Sequence, residues 1–300
     1  MATDRSITQR GCIGYSRQGG LLWPQSIRHQ AMTQAHIYQI FYSEPTRAIL
    51  DKGFIPLDNV GQRPDWCEYW PIRNFLLANE LDDNAFYGFL SPKFAVKTNL
   101  EASDVHAFLA TVPESTDVVS FSPFFDAGAL FPNVFLQGRA EHPNAWESFV
   151  EIASLLTPGV DLRTLIMDSS NTVYCNYFVA KPRFWRHWLS QAEIVFNIAE
   201  SNRSPLGHAL NEGTRHNLSQ TPVKVFVIER LISLLLATQN QWRTVSFNPI
   251  ALPLVYPNSA RAAQELVMLD ALKRSAVATG RGEYLTVYTQ LRERVIAATA

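Results

Sequence analysis

HIYQIFYSEPT, residues 36–46, decides the fold. Its first seven residues are β-branched or aromatic for the most part, the composition that suits a pleated, half-buried surface, and they end at a group of turn and cap residues. Residues 36–42 are therefore expected as a strand, with Ser43 capping a short helix that runs to Leu50. After the loop PLDNVGQRP, Asp65 is expected to cap a helix over 66–79, in which Trp66, Tyr69, Trp70, Arg73 and Leu77 recur with helical spacing. Pro71 falls inside that pattern and must kink the helix or set its start. AFYGFLS (85–91) reads as a buried strand, 103–110 as a helix and DVVSF (117–121) as another short strand. This alternation predicts an α/β sandwich with parallel strands.

Downstream, a loop containing FSPFFDAGALFPN leads to helical spacing over 145–156, and TVYCNYFVA (172–180) reads as a strand. Phe184, Trp188, Ala192, Val195 and Ala199 form one stripe of a helix over 183–199. A polar stretch, 200–220, separates it from the very apolar helix 223–237, expected to be buried on most sides. Residues 260–278 and 283–298 read as two terminal helices broken at TGRG. The expected organisation is a flexible leader over 1–33, an α/β domain over 34–250 and a helical appendage over 251–300. Met32, just before the first strand, is a plausible later start.

Bulk composition removes several function classes. With 47% hydrophobic and 18% charged residues the chain can bury a large core. Its formal charge of −1 leaves no basic field for nucleic acid. Three scattered cysteines without a CxxC pair suggest neither a disulfide framework nor a cysteine zinc site, so a cytoplasmic protein is expected. No apolar run is long enough for a membrane span, and the N-terminus lacks the apolar core of a secretory signal. GxxxxGK[ST], GxGxxG, GxSxG and HExxH are all absent, which argues against P-loop, dinucleotide-binding, serine-hydrolase and zinc-peptidase chemistry.

The chemistry-bearing segments are few. DWCEYWPIRNFL (65–76) sets Glu68 and Arg73 beside Tyr69 and Trp70, a mixture that lines nucleobase and sugar pockets, although aromatic stripes are also ordinary core. YGFLSPKF (87–94) delivers Ser91 and Lys93 at a strand end, the edge where open α/β sheets bind ligands; a solvated surface lysine is the alternative. MDSSNTVYCNYFVAKPRFW (167–185) carries Asp168 and, between apolar neighbours, Asn176, whose amide must find backbone or ligand partners. Glu229 and Arg230 interrupt the apolar helix and need pairing or a ligand, because buried charge is costly. Asp126 is the remaining acidic candidate near a strand end.

Taken in order, these segments resemble a divergent glycosyltransferase of the GT-A superfamily, similar to the DUF4422-type bacterial surface-polysaccharide transferases. EYW (68–70), YGFLSPKF, NYFVAKPRFW (176–185) and the ERL of 229–231 are similar to that group's motifs and occur in the same order. The resemblance implies a mixed, mostly parallel sheet flanked by helices, with C-terminal helices after it. It implies a nucleotide-sugar donor held by Glu68, Tyr69, Trp70, Arg73, Ser91 and Lys93, and a glycan or other hydroxyl acceptor near Asn176, Glu229 and Arg230. Ser91-Pro92-Lys93 stands where metal-dependent members carry a DxD motif, so Mg²⁺ or Mn²⁺ lacks an obvious anchor. A metal-free transfer needs cations for the leaving diphosphate, from Lys93, Arg73 or Lys97, and a carboxylate base, for which Asp168 and then Asp126 are the expected residues. Two other classes stay open: a non-catalytic binding module on a decayed transferase fold, and a glycan hydrolase with paired carboxylates.

Overall fold

Residues 34–216 and 219–299 are described by the computed structural model. The leader expected over 1–33, with Cys12, lies outside the described residues.

The first strand forms where the β-branched and aromatic run predicts it: β1 is Ala35–Phe41, followed by α1 (Glu44–Ala48). Ser43 caps α1, its hydroxyl accepting from the Thr46 N–H while Thr46 Oγ1 accepts the Ser43 N–H. Then come β2 (Ile55–Asp58), a 3₁₀ turn at Pro64–Trp66 and α2 (Tyr69–Ala78). Pro71 is the third residue of α2, where its missing N–H costs nothing, so it marks a helix start and not a kink. Asp65 does not cap that helix; its carboxylate binds Arg63 and Lys224.

β3 (Phe86–Leu90), α3 (Phe94–Thr98), α4 (Ala102–Leu109) and β4 (Val118–Ser120) follow. FSPFFDAGALFPN, expected as a loop, contains α5 (Phe125–Leu130) and leads into α6 (Val134–Glu141), which Asn133 caps through the Phe135 and Leu136 N–H groups. After α7 (Trp146–Leu156), the strand expected over 172–180 shrinks to β5 (Phe178–Ala180), because 175 and 176 take left-handed backbone angles that no strand accommodates. α8 (Pro182–Ser201) is next, and the polar stretch after it holds α9 (Pro205–Asn211) and a hairpin of β6 (Gly213–His216) and β7 (Ser219–Pro222). α10 (Val223–Thr238), β8 (Thr244–Ser246), α11 (Ala263–Thr279) and α12 (Glu283–Thr299) complete the order.

Six strands make one mixed sheet in the order β2-β1-β3-β5-β4-β8. β1 runs parallel to β2 and β3, and β4 parallel to β8; β5 alone is reversed, pairing antiparallel with both β3 and β4. The sheet is thus mixed and flanked by helices, with β5 the departure from the parallel strands expected from strand–helix alternation. Alternate residues of each central strand face opposite layers. Tyr87, Phe89, Val118 and Phe178 enter a core shared with α2, α7, α8 and α10, while Ile37, Phe86, Leu90, Val119 and Val179 enter a second core with α3 and α4. Burial on both faces explains the continuous apolar runs in the sequence. Gly88 lets β5 approach: a Cβ there would stand 2.8 Å from Val179 Cγ2.

A third apolar cluster joins α5 to α11 and α12 through Phe125, Leu130, Leu266, Leu269, Tyr288 and Leu291. Among the described residues no helix is long and apolar enough to cross a membrane.

Candidate functional site

Because β1, β3, β4 and β8 point the same way, their carboxyl ends share one edge, and the reversed β5 begins there. Open α/β sheets bind ligands at this edge. Tyr42 leaves β1 there, and Ser91, Lys93 and Lys97 follow β3. Cys175, Asn176 and Tyr177 precede β5; Cys67 and Glu68 enter α2, and Glu229 reaches in from α10.

These side chains interlock. The Glu229 Oε1 atom accepts the Cys175 N–H at 3.0 Å, the Lys97 ammonium donates to Cys175 Sγ at 3.2 Å, and the Ser91 and Tyr177 hydroxyls lie 2.7 Å apart. Cys175 and Asn176 have φ of 62° and 54°, and Cys67 has φ of 45°. Left-handed angles at non-glycine residues cost of order 1–3 kcal/mol each and persist only where surroundings over-determine them, as they do at functional sites. Among the described residues, two buried polar atoms here, the Tyr42 hydroxyl and Asn176 Oδ1, make no hydrogen bond of good geometry, the Tyr42 hydroxyl being turned towards Glu68. Such orphans are rare in native structures.

The electrostatics are set by enclosure. Burial raises the Glu68 carboxyl pKa and the nearby Glu229 adds to the rise, opposed by Lys97. Burial, then the Glu68 charge, raises the Tyr42 hydroxyl far above its ordinary range. Burial pushes Cys175 up to about 12, with Glu229 contributing, so it stays a thiol at neutral pH. Cys67 is likewise pushed up to about 12, by burial and then Glu68. For Lys97 burial favours the neutral amine, but Cys175, Glu229 and Glu68 outweigh it and raise its pKa.

Of the candidates named from sequence, Glu68, Ser91, Asn176 and Glu229 meet in this cluster, with Lys97 beside them. Lys93 is exposed on the same edge, at the entry to α3. The others lie elsewhere. Arg73 and the Tyr69 hydroxyl bind the Glu193 carboxylate at 2.6 Å each, and Arg73 stacks 4.3 Å from the Phe196 ring, fastening α2 to α8. Trp70 donates to Gln62 and lies under the Arg63 guanidinium. The Asp126 carboxylate accepts the Val255 and Tyr256 N–H groups at 2.7–3.1 Å, and Asp168 accepts the Ser170 N–H at 2.7 Å with Arg274 at 3.9 Å. Arg230 is buried, donating to Val134 O, Phe226 O and Gln137 Oε1. It lies over Gly138, where a Cβ would come within 2.6 Å of its Nε. Tyr42, Cys67 and Cys175 were not singled out in the sequence, because their roles arise from position at the edge and backbone angle.

The opposite edge holds a separate polar cleft of about 710 Å³, in which Arg183 pairs with Asp117 and Arg186 with Asp83. Among the described residues no group of three or more His, Cys, Asp or Glu side chains is arranged to hold a metal ion. No protein-family model, curated protein or solved structure matches the chain.

Proposed function

We propose that the protein is a nucleotide-sugar-dependent glycosyltransferase whose reaction centre is the cluster at the carboxyl edge of the sheet. The observation that carries this reading is the convergence of two carboxyls, Glu68 and Glu229, one ammonium, Lys97, and two further polar groups, Asn176 and Tyr42, from five separate segments. A mixed, mostly parallel sheet between helices is the architecture expected of a GT-A transferase and supports the same reading.

The chemistry needs little else. An acceptor hydroxyl attacks the anomeric carbon; the new C–O bond forms as the bond to the diphosphate oxygen breaks, and the leaving diphosphate takes that electron pair. Lys97, with Lys93 further out, offsets its charge, so no divalent cation is required. One carboxylate of the pair takes the hydroxyl proton. Asn176 Oδ1 accepts, and the Tyr42 hydroxyl donates or accepts, hydrogen bonds with sugar hydroxyls. Asp126 and Asp168, whose carboxylates serve backbone N–H groups, are not used.

The test is incubation of the purified chain with a panel of nucleotide sugars, with and without a chelator, recording thermal shift and nucleoside diphosphate release. Release that survives chelation and falls in Lys97→Ala is the expected result. Neither shift nor release with any donor would overturn the reading, and a shift without release would make the protein a binding module.

A further inference from the structure

We propose that the polar cleft at the opposite, amino edge of the sheet binds the phosphoryl group of a small phosphate ester. The inference stands on residues outside the reaction centre and does not depend on the transferase reading.

The cleft lies where four segments meet. Asn84 precedes β3, Asp117 precedes β4, Arg243 precedes β8, and Lys181 follows β5 into α8. Its volume of about 710 Å³ falls within the range of small-molecule sites, about 300–1,000 Å³. Four cations, Lys181, Arg183, Arg186 and Arg243, line it together with three carboxylates, Asp83, Glu114 and Asp117.

Three of the cations are fixed by contacts that leave donors free. The buried Asp117 carboxylate accepts Nε and Nη2 of Arg183, and also the Arg243 backbone N–H at 2.9 Å. The same guanidinium lies 5.6 Å from the centre of the Trp242 ring, so it is held from a second side while Nη1 stays unbound and the side chain remains 57% exposed. Arg186 donates through Nη2 to Asp83 at 2.6 Å. The Lys181 ammonium donates to the Asn84 carbonyl and sits 4.5 Å from the centre of the Phe86 ring, which occupies one of its three donors. Donors already ordered in the free protein lose little entropy when a ligand arrives.

The charges in the cleft do not close among themselves. Asp117 and Asp83 are committed to Arg183 and Arg186, which leaves Lys181 and Arg243 with Glu114 as the remaining carboxylate. Among the described residues neither Lys181 nor Arg243 has a carboxylate oxygen within 4 Å, and the exposed Arg243 guanidinium makes no hydrogen bond. Positive charge gathered in a concave site attracts an anion. Donors entering from α8 and from β8 suit a phosphoryl group, whose oxygens accept from several directions, better than a planar carboxylate, and guanidinium forks bind phosphate in pairs of hydrogen bonds. A phosphate ion alone fills only part of the cleft, so there is room for the organic body of an ester.

The test is isothermal titration calorimetry of the full chain with inorganic phosphate and with a hexose monophosphate, sodium chloride holding the ionic strength constant. Both should bind at one site per chain, the ester more tightly. Arg243→Gln, which has no intramolecular side-chain bond to lose, should weaken both by about tenfold or more, and Lys181→Met should do the same. Glu114→Gln removes the opposing charge and should tighten both by about twofold. Lys97→Ala, at the other edge, should leave both unchanged. No binding of either probe at millimolar concentration, or binding that Arg243→Gln and Lys181→Met leave intact, overturns the proposal. So does binding lost in Lys97→Ala, which would put the anion at the carboxyl edge. Binding of inorganic phosphate without the ester reduces the cleft to a free-anion site and overturns the ester assignment. The transferase reading is judged separately, on nucleoside diphosphate release, and either can fail while the other stands.

Discussion

Lys273 is fully buried in α11, and among the described residues its amine donates to the backbone carbonyls of Gly128 and Phe131 at the end of α5 and lies 5.9 Å from the Tyr288 ring. Burial pushes its pKa down to about 8, with Asp270 and Asp168 opposing. The unfolded chain keeps this lysine near 10.5. Between those values the unfolded state holds more protons than the folded one, so stability gained from this residue rises with pH. The full gap corresponds to about 3 kcal/mol of strain on the charged form below pH 8, of which about 2 kcal/mol is relieved between pH 7 and pH 9.5. The perturbation is Lys273→Met, which keeps the bulk and removes the charge. Urea unfolding of both proteins at pH 7, 8.5 and 9.5 isolates the effect, because all other titrating groups cancel in the difference. Wild type should gain on the variant by about 2 kcal/mol across that range. A difference independent of pH would refute the claim that a charged amine is buried there at cost.

Gly138→Ala drives a methyl into the Arg230 guanidinium, which three hydrogen bonds hold in place, and should cost about 2 kcal/mol in urea unfolding. Asp126→Ala leaves the Val255 and Tyr256 N–H groups without their acceptor and should lower stability by about 3 kcal/mol. Diphosphate release per folded molecule should be unchanged in that variant; a loss of rate without a loss of stability would return Asp126 to the catalytic candidates. Asn176→Gly suits a φ of 54° and should keep stability within about 1 kcal/mol, while removing the thermal shift produced by a productive donor. A retained shift would show that Asn176 Oδ1 does not meet the ligand.

Periodicity made the long elements legible. β1, β3, β4, α8, α10 and the two terminal helices stand within a few residues of their expected bounds, because each buries a continuous face. The short elements were not readable on that basis. β8 is three half-exposed residues that become a strand only by pairing with β4, and β2 has almost no buried face. α6 did carry a signal, Asn133 after Pro132, but the aromatic run before it obscured the helical spacing. The direction of β5 is a tertiary property with no local code. The site was half legible for a related reason. Glu68 precedes α2 and lies on the edge, whereas Tyr69 and Arg73, a few residues further on, are rotated by the helix towards α8. Sequence proximity grouped residues that 100° per residue then separated.

The reversed strand has a consequence for how the molecule assembles. β2, β1 and β3 pair among themselves, and so do β4 and β8, but the two sets meet solely through the three residues of β5. Gly88 pairs with Val179 across the intervening α3–α7 and β4, a contact of high sequence separation. β5 therefore joins two half-sheets through pairings far apart in sequence. Tyr42 and Lys97 come from one half, and Cys175 and Asn176 from the joint itself, so the candidate site is whole only when β5 is in place.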